Sequence, residues 1–174
     1  MNNQILSARL TFTKVALPDW DLIRSIYSNP TLMEHIGATM SDEDIRRNFE
    51  KELAPWSLES NYWLTWIIRE TDSGRDVGLI SICTRNRETL TAEVGFIILE
   101  GFKGKGYATE AIRRVFDFAV DSFGFKKFTA VCSEEHAASR RVLEKAGMKL
   151  DKVGPESTEI SGKMVNDCFY SLEK

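Results

Sequence analysis

Residues 93–110 constrain this chain more than any other stretch. Val94 to Leu99 form a dense apolar run that reads as a buried strand. A turn rich in glycine and lysine follows from Gly101 to Gly106, and Tyr107 then opens a helix. The apolar positions of that helix, Ala108, Ala111, Ile112, Val115, Phe116, Ala119 and Val120, recur at helical spacing. Glycines let a backbone approach an anion without Cβ interference, and the first-turn N–H groups of a helix point at it with the dipole behind them. Gly104 and Gly106 therefore make either a plain strand-to-helix turn or a phosphate cradle. Lys103 and Lys105 inside the turn favour the anion.

Residues 1–174 read as a single domain, long enough to bury about 70% of the surface that the unfolded chain exposes. With 43% hydrophobic and 28% charged residues the composition is that of a soluble globular protein. A net charge of −3 and the lack of a long basic run argue against general nucleic-acid binding. The opening Met-Asn-Asn-Gln lacks the features of a signal peptide, and no apolar stretch approaches membrane-spanning length. Cys83, Cys132 and Cys168 lie far apart in apolar company and read as reduced core residues. His35 and His136 have no metal-ligand spacing. The expectation is a cytoplasmic protein with no metal and no membrane contact, its oligomeric state open.

Along the chain, residues 5–15 predict a half-buried strand with Leu6, Ala8, Leu10 and Phe12 on one side. Pro18-Asp19 starts a helix that stops near Asn29-Pro30, residues 31–36 add a short turn, and Ser41 caps a second helix ending before Pro55. Residues 62–69, 77–84 and 91–99 are strands joined by connections short enough for an antiparallel meander. Residues 128–132 form a strand reached through a helical crossover and hence parallel to the Val94 strand. A helix over 137–146 ends at Gly147, and strands over 149–153 and 167–172 flank a polar loop, residues 155–163. The fold class is α/β: a mixed, mostly antiparallel sheet with helices on its faces and the glycine turn at its centre. Trp63, Trp66 and Phe96 read as core.

Five segments in this order resemble the GNAT superfamily of acyl-CoA-dependent N-acetyltransferases, most nearly its bacterial ribosomal-protein alpha-amino acetyltransferases. They are Ala8 to Thr11, Tyr27 to Met33, Ala92 to Phe96, Gly104 to Ala111, and His136 to Gly147. The chain departs from the pattern in three places. Gly101 stands where the turn usually opens with Gln or Arg, His136 stands where an Asn usually meets the pantetheine arm, and Leu143 takes the place of a Tyr acid.

The resemblance implies direct attack of a primary amine on acetyl-CoA, the amine belonging to a ribosomal-protein or other peptide N-terminus or to a small molecule. It places the pyrophosphate on Lys103, Gly104, Lys105, Gly106, Tyr107 and Ala108, and the pantetheine on backbone groups of Ile97, Ile98 and Leu99, which requires the Val94 and Phe128 strands to splay apart. His136 adjoins the pantetheine. Glu93 is then either the general base or a strand-end carboxylate, and either Ser139 or water protonates the departing thiolate. The acceptor falls between the first two helices, at His35 and Gly37, and the 155–163 loop. A non-catalytic acyl-CoA-binding protein is the alternative from another class. A dinucleotide-binding turn is disfavoured because Thr109 occupies the third glycine position, and a nucleotide-hydrolase turn because Gly106 follows Lys105.

Overall fold

The computed structural model describes residues 5–160 and 162–174, with backbone alone for residues 156–158. Among these residues eight strands form one sheet in the order β1-β2-β3-β4-β5-β6-β8-β7. The chain runs β1 (Ile5–Leu6), β2 (Leu10–Lys14), α1 (Trp20–Tyr27), α2 (Pro30–Met33), α3 (Asp42–Leu53), β3 (Leu64–Glu70), β4 (Asp76–Asn86) and β5 (Thr91–Ile98). After the glycine turn come α4 (Tyr107–Phe123), β6 (Lys127–Ser133), α5 (Ala137–Lys145), β7 (Lys149–Ile160) and β8 (Lys163–Glu173). Every neighbouring pair is antiparallel except β5 with β6, which the α4 crossover makes parallel.

Alternation along the strands divides the core between the two faces of the sheet. On one face α4 buries Ala111, Ile112, Val115, Phe116 and Ala119 against Trp66, Ile80, Val94 and Phe128. Each such side chain contributes about 1.5–3 kcal/mol when removed from water. On the other face Ile23, Ile26, Ile45 and Phe49 of α1 and α3 pack on Ile67, Leu79 and Ile97. The helices there start where their caps dictate: Asn29 Oδ1 accepts from Thr31 N at 2.9 Å, and Ser41 Oγ accepts from Asp44 N at 3.2 Å.

Two expectations change. The first strand is broken by a turn at residues 7–9, which leaves Leu6 54% exposed while Leu10 and Phe12 are fully buried. Residues 155–163 are not a polar loop: β7 continues to Ile160 and β8 begins at Lys163, with residue 161 outside the described set. Pro155 is tolerated because the β7–β8 register shifts between Val153 and Glu156, where the ladder does not need its missing N–H.

Gly78 fixes how closely β4 and β5 approach at the end of the sheet that carries the glycine turn. Its φ is +153°, and a Cβ there would lie 2.0 Å from the carbonyl oxygen of Ile97. Backbone cannot yield as a side chain can, so Gly78→Ala should destabilise the fold by about 2–4 kcal/mol. Urea unfolding with an unchanged midpoint would refute this account of the β4–β5 contact.

Candidate functional site

β5 and β6 run paired only through Thr91↔Lys127, Ala92↔Phe128 and Glu93↔Thr129. Beyond that point each keeps its outer neighbour, β5 with β4 to Gly78↔Ile98 and β6 with β8 to Ser133↔Asp167. The strands therefore part from Val94 onward, as the sequence reading required. Two cavities meet in the gap, one of about 1140 Å³ toward the glycine turn and one of about 390 Å³ toward α1. They share a wall made by His35, Ile36, Phe96, Ile97, His136 and Ser139.

The parting also decides which backbone groups are free for a ligand. Leu99 N–H donates to Val77 O at 2.9 Å, so strand alternation turns the amide of Ile97 toward β4 as well. The groups of Phe96 and Ile98 face the gap instead. The expectation for residues 97–99 is thus corrected: Ile98 presents its backbone to the cleft, Ile97 presents its side chain, and Leu99 is engaged in the sheet.

The larger cavity is floored by the turn before α4. Lys103, Gly104, Gly106, Tyr107 and Ala108 line it. Gly104 and Gly106 adopt φ of +76° and +81°, a left-handed region that strains other residues. This shape leaves the first-turn amides of α4 uncovered. Lys105 does not line the cavity: its carbonyl accepts from Arg9 Nη1 at 3.1 Å, and its Nζ lies 5.1 Å from the centroid of the Phe102 ring. Lys103 does, as an ion pair with Glu100.

A clamp that sequence reasoning missed holds this turn. Glu110, in the first turn of α4, accepts from Ser7 Oγ at 2.7 Å, Arg9 N at 2.9 Å and Arg9 Nε at 2.7 Å. These bonds hold its carboxyl below the usual carboxylate range against the opposing effect of burial. The Arg9 guanidinium also lies 4.5 Å over the Tyr107 ring. Arg9 and Glu110 stand 101 positions apart in the chain, too far for any local pattern to connect them.

The smaller cavity has an aromatic and aliphatic wall. Tyr27, Trp63, Leu79, Val94, Phe96 and Val131 contribute to it, so Trp63 and Phe96 are cavity residues and Trp66 alone of that trio is core. Its polar groups include Ser81, Ser133, Ser139 and Asp167, and Asp167 is its one carboxylate among the described residues. Leu143 lines it, 1% exposed. Among the described residues none from the 155–163 segment lines either cavity, and Lys163 pairs with Glu135 at 2.8 Å instead.

Ser139 stands at the junction of the cavities. His136 does too, its ring stacked 4.3 Å from that of His35. Burial, with His35 and Lys103 nearby, pushes the His136 imidazole down to about 4, so it is neutral at pH 7. Glu93 is the expectation that moves furthest. It lines neither cavity, sits at the last paired position of β5 and β6, and accepts from Arg85 Nε at 2.8 Å. Arg85 in turn lies 5.3 Å from the Trp63 ring centroid. Glu93 is thus a strand-end carboxylate paired with Arg85 and outside both cavities.

Comparison with known proteins fits this geometry. The model of the acetyltransferase (GNAT) domain matches residues 9–149. An uncharacterized N-acetyltransferase, p20, of Bacillus licheniformis is 23% identical over 172 residues, 98% of this chain and 96% of that protein. A spermidine N-acetyltransferase from Vibrio cholerae, solved with CoA and spermine, superimposes with a TM-score of 0.83 at 18% identity over 96% of each chain. The ribosomal L7/L12 alpha-N-protein acetyltransferase RimL, solved with coenzyme A, gives 0.82 at 15% identity over 98% of this chain and 97% of its own.

Because a single carboxylate ties the β1–β2 turn to α4, Glu110→Gln should release both. The charge-assisted bonds it loses predict about 1–3 kcal/mol less stability and faster hydrogen exchange at residues 104–108. Exchange at wild-type rates in a folded variant would show that the turn stands without the clamp.

Proposed function

This chain belongs to the GNAT acetyltransferases, and we propose that it transfers acetyl from acetyl-CoA to a primary amine carrying one positive charge and an apolar substituent. The observation that carries the reading is the shared wall: a large cavity floored by helix amides and a small apolar one open onto each other at Phe96, Ile97, His136 and Ser139. The structural ground for acetyl-CoA in the larger cavity is that Gly104 and Gly106 line it at positive φ without a Cβ, and nothing lies within 4 Å of the Cβ position of Gly104. It would supply the activated thioester. The amides from Gly104 to Ala108 would bind its pyrophosphate, with Lys103 and Lys105 adding positive charge, and the Phe96 and Ile98 backbone would align the pantetheine arm.

In the transfer the amine nitrogen bonds to the carbonyl carbon, the carbon–sulfur bond breaks, and the thiolate takes up a proton. Ser139 at the junction passes this proton on, directly or through a water it orders, and regains one from the attacking nitrogen, which gives up a proton as the amide forms. A thiol is acidic enough that this help is modest. His136, neutral at pH 7, stacks on His35 at the junction.

The wall of the smaller cavity favours one kind of acceptor. A polyamine carries several charges, whereas this wall offers Asp167 as its one carboxylate among the described residues, beside Tyr27, Trp63 and Phe96. An ammonium group drawn by Asp167 with an apolar flank on the aromatics satisfies both features. An N-terminal α-amino group beside an apolar side chain meets the same description.

Thiol release from acetyl-CoA should therefore be faster with leucinamide or phenethylamine than with spermine, by ~10-fold or more in kcat/KM. A preference for spermine would overturn the acceptor class, and no release with any primary amine would overturn the transfer itself. Gly106→Val should weaken coenzyme A binding by placing a branched Cβ against the cradle. Calorimetry showing wild-type affinity in the folded variant would remove the pyrophosphate from this turn.

A further inference from the structure

A pocket that selects its acceptor needs a wall of fixed position. We propose, on the reading that the amine enters the smaller cavity, that Trp63 limits the size of its apolar substituent and that Arg85 and Glu93 hold the indole at that limit. Trp63 is then a specificity-determining residue, and Arg85 and Glu93 are positioning residues.

The place of Trp63 follows from register. Ile97 packs on the face of the sheet that α1 and α3 cover, and alternation puts Gly95 on the same face, further from the glycine turn. Ile97 lines both cavities, whereas Gly95 and Trp63 line the smaller one alone. A Cβ at Gly95 would lie 3.8 Å from Cη2 and 3.8 Å from Cζ3 of Trp63. The missing side chain thus lets the six-membered edge of the indole come down onto β5 itself. An acceptor whose nitrogen reaches the junction at Ile97 and extends back along β5 meets that edge within about 7 Å, the rise of two strand residues. A phenethyl group fills this span, and a second ring in line exceeds it.

Trp63 stands immediately before β3, so the ladder does not fix its side chain. Arg85 supplies a contact in its place, with the guanidinium carbon 5.3 Å from the centroid of the Trp63 ring. Arg85 is itself tied down, because its Nε donates to Glu93 Oε2 at 2.8 Å. Glu93 pairs with Cys83 across the β4–β5 ladder, on the same face as Gly95. The strand that the indole rests on therefore also anchors the cation that braces it. Neither Arg85 nor Glu93 lines a cavity, so neither touches the reacting atoms.

Phenethylamine and its para-phenyl analogue carry the same alkyl ammonium group, so the ratio of their kcat/KM values reads the pocket and not the proton. With acetyl-CoA the wild type should favour phenethylamine by ~10-fold or more, and Trp63→Ala should erase or reverse that preference. Trp63→Phe disturbs the packing less and should lower the ratio several-fold. Active variants at position 63 that keep the wild-type ratio would overturn the proposal and leave the acceptor reading standing, as would a wild type indifferent to the second ring. A wild type that acetylates no primary amine would remove the acceptor reading, and this limit with it.

The positioning roles have their own readouts. Arg85 is 47% exposed, and losing an exposed cation–π contact in Arg85→Met should lower the ratio ~2–5-fold, with Arg85→Lys restoring it. Glu93→Ala should act as Arg85→Met does, and Glu93→Gln, which can still accept from Arg85, should keep the ratio. Wild-type ratios in both Arg85→Met and Glu93→Ala would overturn the positioning roles. The pH–rate profile of Glu93→Gln should parallel the wild type's. A loss near pH 7 that recovers toward the amine's own pKa, ~10 for an alkyl amine, would make Glu93 the base and overturn its assignment here. A last measurement follows the indole directly. In protein labelled with fluorotryptophan, the fluorine resonance lost in Trp63→Phe should shift when phenethylamine joins the coenzyme A complex. A resonance unmoved at amine concentrations above KM would overturn the contact.

Discussion

The parting of β5 from β6 after Glu93↔Thr129 is the constraint on which the rest of the site depends. A sheet normally spends every central backbone group on its ladder, and each one left bare and buried costs about 1–3 kcal/mol. Here the cost is limited because β4 and β8 hold the outer sides of the two parted strands. Only the inward groups of the two strands, those of Phe96 and Ile98 on β5 among them, lose a partner. A ligand lying along β5 can replace what β6 withholds. The defect in the ladder and the opening of the cleft are the same feature.

The gap also joins the two faces of the sheet. Val94 and Ile98 belong to the cluster under α4, whereas Ile97 and Leu79 belong to the cluster under α1 and α3. A continuous sheet would insulate these clusters from each other. The open wedge lets a cavity pass from one face to the other, so a group cradled at the α4 side can reach one admitted from the α1 side. Addition of an amine to the face of a thioester carbonyl needs the two reactants brought together from different sides.

What was legible in the sequence follows from how far each interaction reaches along the chain. The strand, the glycine turn and α4 were readable because their signals are local: an apolar run, two glycines at positive φ, and helical spacing. The GNAT resemblance rests on the same local segments. Strand alternation, however, does not say which side of β5 loses its neighbour, and that decides between the amides of Ile97 and Ile98. Glu93 looked suited to catalysis because it is the lone ionisable side chain between Thr91 and Leu99, and its partner Arg85 arrives only when β4 folds back. Asp167 and Ser81 carried no signal at all: each is unremarkable in its own segment and reaches the wall of the smaller cavity only through the register of β8 and β4.

The two cavities draw on different parts of the fold, and this separates the demands placed on the chain. The larger cavity is walled by the end of β5, the start of α4 and the start of α5. The smaller cavity is walled by Tyr27, Trp63, Ser81 and Asp167, from α1, the approach to β3, β4 and β8. Substitutions among these would alter which amine is admitted without touching the amides that hold the donor. Only the shared wall at Phe96, Ile97 and Ser139 must satisfy both at once. Under the proposed function, that division lets the acceptor wall vary while the donor wall stays fixed.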